Sequence, residues 1–85
     1  MRVQRREPVD LLVRDGETAV LLADGIVRLS ELSAVLYDLA REQVEVEALA
    51  RDLEERFGAP AERTSVQATM DAVRDMVEAG LLTET

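Results

Sequence analysis

Carboxylates are the only side chains of this chain numerous enough to support acid–base or metal chemistry. There are 18 Asp and Glu residues but no Cys and no His, which excludes thiolate or imidazole zinc sites and Cys–His or Ser–His nucleophiles. The neighbouring acids Glu54 and Glu55, and the nearby Glu45 and Glu47, lie on a predicted helix or its approach, where adjacent side chains point apart. No calcium-loop or phosphate-loop spacing occurs. We therefore expect no enzymatic activity, no metal site and no cofactor.

The acidic balance also bears on which partners the chain can have. Its formal net charge is −8, from 18 acidic and 10 basic residues. A field of that sign repels phosphate backbones, so we expect no nucleic-acid partner. No apolar run reaches the length of a signal peptide core or a membrane span, which predicts a cytoplasmic protein without a membrane partner. The excess acid is otherwise explained as solvated helix faces that keep a small protein soluble.

Two Asp-Gly pairs organise the front of the chain. In "VRDGETAVLLADGIVRL" they stand nine residues apart, and apolar residues flank both. Two-residue hairpin loops need a positive φ, which Gly supplies, so the pattern predicts three antiparallel strands. A loop at the first pair aligns Arg14 with Glu17, and a loop at the second aligns Leu22 with Val27. Both hairpins then place one apolar set on a single face: Val9, Leu11, Val13, Val20, Leu22, Val27 and Leu29.

Three helices are predicted after the strands. Ser30 is a suitable N-cap for the first helix. The second runs from about Val46 to Phe57 and ends at Gly58, and the third begins near Ser65 and ends at Gly80. Helical spacing places these residues on the inward stripes: Leu32, Val35, Leu36, Leu39, Val46, Leu49, Leu53, Phe57, Val66, Met70, Val73 and Val77.

The order βββααα predicts an α+β fold in which a small sheet packs on helices. Residues 1–8 are polar and charged and are expected to form a flexible arm, leaving one domain over residues 9–82. If strand order follows sequence order, the third predicted strand lies at the sheet edge. An open edge offers unpaired backbone N–H and C=O groups that an extended peptide can join. The alternatives are that a helix covers this edge or that the strand is too short to matter.

Three segments, in this order and spacing, resemble the PqqD-like family, also called RiPP recognition elements: "AVLLADGIVRLSELSAVLYDLA", "VEALARDLEERFG" and "TMDAVRDMVEAGLL". Members are small bacterial domains that bind the leader segments of ribosomally made precursor peptides. The resemblance covers about residues 9 to 82 and implies a winged-helix-like arrangement of three strands and three helices. It also implies a discrete adaptor that delivers a leader to a separate modifying enzyme (a protease, cyclase, radical enzyme or other) by raising its effective concentration.

The resemblance implies a binding groove as well. In the family the leader adds a strand to the third strand and packs against the third helix. Carried onto this chain, the peptide-binding residues are Ile26, Val27, Arg28, Leu29, Met70, Val73, Arg74 and Val77. Arg28 and Arg74 would then meet acidic leader residues. Alternatively, Arg74 forms an ordinary i,i+4 pair with Glu78, and Met70 and the valines are plain core residues.

Two other classes of protein share some of these features. A winged-helix DNA-binding regulator has a related fold, but the net charge of −8 and the single Arg on the third helix argue against it. An acyl or peptidyl carrier protein shares the size and acidity. Carrier proteins are helical throughout and need an Asp-Ser-Leu type of attachment site, whereas this chain has two predicted hairpins and no such site.

Overall fold

Six strands and three helices make up the computed structural model, which describes residues 1–85. They form a small α+β domain with two antiparallel three-stranded sheets, ordered β2-β3-β4 and β5-β1-β6. In chain order the elements are β1 (Arg2–Arg5), β2 (Asp10–Arg14), β3 (Glu17–Leu22), β4 (Gly25–Leu29), α1 (Glu31–Leu39), β5 (Val44–Glu45), α2 (Val46–Phe57), α3 (Ser65–Glu78) and β6 (Leu82–Glu84). The α+β class is confirmed, and the three predicted strands are β2, β3 and β4. None of the helices is both long and apolar enough to cross a membrane.

The first hairpin has the predicted register. Arg14 pairs with Glu17 and Leu11 pairs with Val20 across β2 and β3. The two loop residues, Asp15 and Gly16, both have positive φ, at 52° and 79°. This is the type I′ geometry whose twist matches that of the flanking strands.

The second hairpin is shifted by two residues from the predicted register. Leu22 pairs with Gly25 and Val20 pairs with Val27, so the loop consists of Ala23 and Asp24. The prediction that the loop lies at Asp24-Gly25 is therefore wrong. A shift of two residues leaves every side chain on its original face, because strand side chains alternate with a period of two. Val27 therefore still lies on the same face as Val20.

Only part of the predicted apolar face of this sheet is buried. Val20 is completely buried, and the side chains of Leu22, Val27 and Leu29 pack half-buried against the core. All five residues of β2 are exposed, so the expected packing of the apolar face on the helices does not extend to Leu11 and its β2 neighbours. The reason is that α1 packs on α2, β3 and β4, while α3 packs mainly on α2 and β6. The residues of the predicted apolar face that are exposed to solvent are Val9, Leu11 and Val13.

Three of the helix ends show the local chemistry that the sequence predicts. The Ser30 hydroxyl accepts a hydrogen bond from the Ser33 N–H at 3.1 Å, as an N-cap does. Helix α2 has the predicted bounds and ends at Gly58, whose φ is 84°. Thr64 and Gln67 form a capping box at the start of α3, in which each side chain accepts a hydrogen bond from the other residue's backbone N–H.

Three positions on the predicted helix stripes are exposed instead of buried. Phe57 is 40 % exposed because α2 ends there, beyond the edge of the core. The other two lie in the first turns of their helices, where little packs against them: Leu32 and Val66. Conversely, the core contains Tyr37 and Met76, which the stripes did not include.

The N-terminal residues form a strand, so the prediction of a flexible arm is wrong for Arg2–Arg5. β1 is the central strand of the second sheet, where Val3 pairs with Val44 on one side and Glu84 on the other. Val3 is completely buried in the core. Arg2 Nε lies 2.8 Å from Glu45 Oε1, and this hydrogen bond holds the pKa of Glu45 below its usual value. The prediction failed because β1 pairs with strands about 40 and 80 residues away.

Tyr37 connects α1 to the segment that follows β1. Its hydroxyl donates a 2.7 Å hydrogen bond to the Arg6 carbonyl, and the Arg5 guanidinium lies 5.0 Å from its ring centroid. Burial raises the pKa of Tyr37 above 10.0, although the neighbouring charge of Arg5 opposes this shift and Glu7 adds to it. Because the raised pKa belongs to the folded state, the fold favours the neutral phenol.

We expect the free energy of unfolding to decrease as the pH rises above about 10. The chain has one Tyr, and all ten of its basic residues are Arg, so Tyr37 is the only side chain that titrates between about pH 9 and 11. At pH 7 a Tyr37→Phe variant should have a free energy of unfolding about 1 kcal/mol lower than the wild type, because the hydrogen bond to the Arg6 carbonyl is lost. Its free energy of unfolding should then not decrease further up to about pH 11. Urea unfolding of the wild type and the variant at several pH values measures both the loss at pH 7 and the alkaline loss. An equal alkaline loss in the variant would show that Tyr37 is not the cause.

Candidate functional site

The backbone of β4 is an open sheet edge. The strand order β2-β3-β4 leaves one side of β4 without a neighbouring strand. Leu22 and Gly25 close the two-residue loop as a hydrogen-bonded pair, and hydrogen-bonded pairs alternate along an antiparallel ladder. The N–H and C=O groups of Ile26 and Arg28 therefore point outward. The backbone of β4 makes no hydrogen bond except in its ladder with β3, so an extended peptide has free donors and acceptors here.

The side chains of β4 divide into an apolar inner pair and an exposed outer pair. Val27 and Leu29 pack half-buried against the core. Ile26 is 63 % exposed on the opposite face, beside the exposed Arg28. No carboxylate lies within ion-pair distance of Arg28. The edge thus combines apolar surface with one unpaired positive charge, in a chain whose net charge is −8.

Helix α3 supplies the other predicted site residues, and they lie at different depths. Met70 and Val77 are half-buried against the same core as Val27 and Leu29. Val73 is completely buried, so it supports this surface from below and cannot contact a ligand directly. The structure therefore packs five of the six apolar site residues against one core, whereas Ile26 lies on the opposite face of the sheet. The five are Val27, Leu29, Met70, Val73 and Val77.

The end of α3 lies beside the sheet formed by β2, β3 and β4. A Cβ placed on Gly80, just after the helix, would stand 4.0 Å from Leu22 Cδ1. Leu22 pairs with Gly25, the first residue of β4. Gly80 therefore lies beside the last residue of β3, next to the second hairpin turn.

Arg74 is exposed and has a partner other than the expected one. Its Nη1 lies 3.8 Å from Asp71 Oδ1, in an i,i+3 arrangement, and its side chain is 66 % exposed. The i,i+4 pair with Glu78, which was the alternative reading, does not form. Asp71 also accepts a hydrogen bond from Arg63. Because Asp71 is shared between two arginines and the Arg74 contact is long, the Arg74 charge is only partly neutralised.

The sequence analysis did not identify the outer face of the β2-β3-β4 sheet, which is the face opposite the core. A shallow depression there is lined in part by Leu12, Ala19 and the two arginines Arg14 and Arg28. Leu12 is 48 % exposed. The signal was present, since "LLV" in β2 is a run of three apolar residues and must place apolar side chains on both faces of a strand.

A second apolar depression lies where α1, α2 and the start of α3 meet. Leu32, Leu53, Phe57 and Pro60 contribute its apolar surface. The exposed Phe57 forms part of its wall. No group of three or more acidic side chains is close enough to hold a metal ion.

Comparisons with protein-family models, with known proteins and with solved structures find no match to this chain. The resemblance to the PqqD-like family is therefore carried by the sequence motifs alone.

Proposed function

We propose that this protein is a peptide-binding adaptor of the PqqD-like type, which binds the leader segment of a ribosomally made precursor peptide. The observation that carries this proposal is the open edge of β4, whose outward backbone groups are free and whose neighbours are half-buried apolar side chains. Strand addition uses these features: backbone hydrogen bonds provide affinity, and pockets for alternate side chains provide specificity.

The proposal includes a winged-helix-like arrangement. In it, β2, β3 and β4 followed by α1, α2 and α3 correspond to the three strands and three helices of the family. The sheet formed by β5, β1 and β6 is then an addition that fastens both chain ends to the core. A leader would extend along β4 and contact α3 at Met70 and Val77.

Charge supports an acidic leader. Arg28 has no ion-pair partner, and Arg74 is only weakly paired with Asp71. A carboxylate on an added strand could bind Arg28 without displacing an existing partner. Charge-assisted hydrogen bonds of this kind are about twice as strong as neutral ones.

The exposed side of α3 does not favour duplex DNA. It carries one Arg, at position 74, together with the exposed acids Asp75 and Glu78. A recognition helix must approach phosphates, and these two carboxylates would repel them. The bound leader would be held near a separate modifying enzyme, which raises the effective concentration of the substrate.

We expect synthetic leader segments of the precursor peptides encoded beside this gene to bind with nanomolar to micromolar affinity. Titration of the isotope-labelled protein should shift the backbone amide signals of Ile26 and Arg28, and calorimetry should give the affinity. Arg28→Glu should weaken binding roughly tenfold, because it replaces an attraction to acidic residues by a repulsion.

Arg51→Glu is the matched control for that titration. Arg51 is an exposed arginine on α2 with no ion-pair partner, so its reversal changes the net charge equally but away from β4. If both variants lost the same affinity for the leader, the change in net charge alone would explain the effect of Arg28→Glu. No binding of any leader, or amide shifts restricted to β2, would overturn the proposal, and binding to duplex DNA at physiological salt would favour the regulator instead.

A further inference from the structure

Strand β2 forms the other edge of the β2-β3-β4 sheet, and it is both apolar and exposed. Leu11, Leu12 and Val13 are all exposed, and Val13 is 69 % exposed. These side chains lie on both faces of β2, so no single packing partner within the chain could cover them. A long, exposed apolar edge strand is a template for pairing with another chain.

The backbone groups that face outward along this edge belong to Leu11 and Val13. Arg14 and Glu17 form the hydrogen-bonded pair that closes the first loop, and alternation along the ladder turns the N–H and C=O groups of residues 11 and 13 outward. The Leu11 N–H in fact donates to Asp10 Oδ1 at 2.8 Å instead of to β3. A side chain thus occupies a donor that a neighbouring strand would otherwise take.

From this arrangement we infer that β2 pairs with β2 of a second copy, giving a two-fold symmetric dimer. The sequence of β2, "DLLVR", is complementary to itself when two copies run antiparallel about Leu12. Asp10 of one protomer then lies opposite Arg14 of its partner, twice by symmetry. Opposite charges placed directly across a strand pair stabilise it, and like charges destabilise it.

The same register satisfies the backbone and the apolar side chains. Leu11 and Val13, whose polar backbone groups face outward, become the hydrogen-bonded pairs across the two-fold axis. Leu12 meets its own copy between them. The Asp10 carboxylate exchanges the Leu11 N–H for the Arg14 guanidinium of the partner. Registers centred on Leu11 or Val13 also align the outward groups, but they oppose Asp10 or Arg14 to Leu12 and leave the charges unpaired.

The dimer would contain one continuous six-stranded sheet, in which the two β4 strands form the outer edges. Peptide binding at β4 and dimerisation at β2 therefore use opposite edges, and either can fail without the other. The interface carries its own specificity through Asp10 and Arg14, as an isologous contact requires.

Charge exchange tests the inference without any peptide. Sedimentation of the wild-type protein from about 10 µM to about 1 mM, the range in which small interfaces associate, should show a concentration-dependent dimer. Asp10→Arg and Arg14→Asp should each weaken the dimer at least about tenfold, since each places two pairs of like charges across the axis. An equimolar mixture of the two variants should recover the dimer as a heterodimer, and the double variant should recover it alone.

Arg51→Asp, on the exposed surface of α2, provides the matched charge control and should dimerise like the wild type. Far-ultraviolet circular dichroism establishes that each variant is folded. A wild-type protein that stays monomeric over the whole range would overturn the inference. So would single variants that dimerise normally, or a mixture that remains monomeric, because the charge pairing would then play no part.

Discussion

Replacing Arg28 by proline should abolish leader binding while leaving the domain folded. Proline has no N–H, and position 28 directs its N–H away from β3. Edge strands tolerate proline when the lost N–H faces outward, because no ladder hydrogen bond is removed. An added strand would lose one hydrogen bond, meet the pyrrolidine ring and lose the guanidinium, so we expect a loss of roughly 100-fold or more in affinity.

Two further variants separate the causes of that loss. Arg28→Ala removes the guanidinium but keeps the N–H and adds no repelling charge, so its affinity should fall by less than about tenfold. Val13→Pro makes the same change on β2, where the N–H also points outward, and should bind a leader like the wild type. Calorimetry measures all three affinities, and thermal unfolding checks that each variant is folded. Equal binding by Arg28→Pro and Arg28→Ala would mean that no strand adds at β4, and a loss restricted to Val13→Pro would place the peptide on β2.

The elements predicted correctly are those whose cause is local. The first loop needs two residues with positive φ, and Asp15-Gly16 supplies them. Helix α2 has the predicted bounds because its apolar period, its Gly58 terminus and the following Pro60 all agree. In each case the residues that decide the conformation are within a few positions of one another.

The second hairpin shows how a local signal can be ambiguous without harming the fold. "ADG" offers two adjacent two-residue loops, and the chain uses Ala23-Asp24, neither of which has a positive φ. The choice between these loops shifts the register by two residues. Since the faces are unchanged, the apolar pattern cannot distinguish the two registers, and the position of β4 along β3 was beyond sequence reasoning.

The burial of the predicted site residues on α3 differs from what their spacing indicates. The sequence placed Met70, Val73 and Val77 on one stripe, yet the centre of the buried face of α3 runs through Thr69, Val73 and Met76. A stripe of apolar residues covers more than the width that a neighbouring helix can bury. Which flank stays near the surface depends on how α3 packs against α2, and that angle is a tertiary property.

The second sheet is the part of the fold that no local pattern predicts. β1, β5 and β6 have four, two and three residues, and they pair over most of the chain length. Strands this short show too few alternations for a period of two to be recognised. Their pairing is nevertheless specific, because β1 contributes Val3 to the core and β6 contributes Leu82.

Substitution of Val3 by aspartate is expected to unfold the domain. The side chain is completely buried in the central strand of the second sheet. A carboxylate there would lose its hydration without gaining a partner, and changes of this kind cost more than about 4 kcal/mol. The whole domain, at 85 residues, is stabilised by only about 4 to 13 kcal/mol. A flexible arm, by contrast, would tolerate the change without effect.

Milder variants make this expectation measurable even if the aspartate variant never folds. Val3→Ala should lower the free energy of unfolding by about 2 kcal/mol, mostly through lost apolar burial and the cavity that remains. Gln4→Asp, one residue along on the opposite face of β1, should cost less than about 1 kcal/mol, because Gln4 is only half-buried and makes one long hydrogen bond to the Arg41 carbonyl. Urea unfolding distinguishes the two. Equal stability of the wild type and Val3→Ala would mean that β1 does not belong to the core, and that the chain folds without its first five residues.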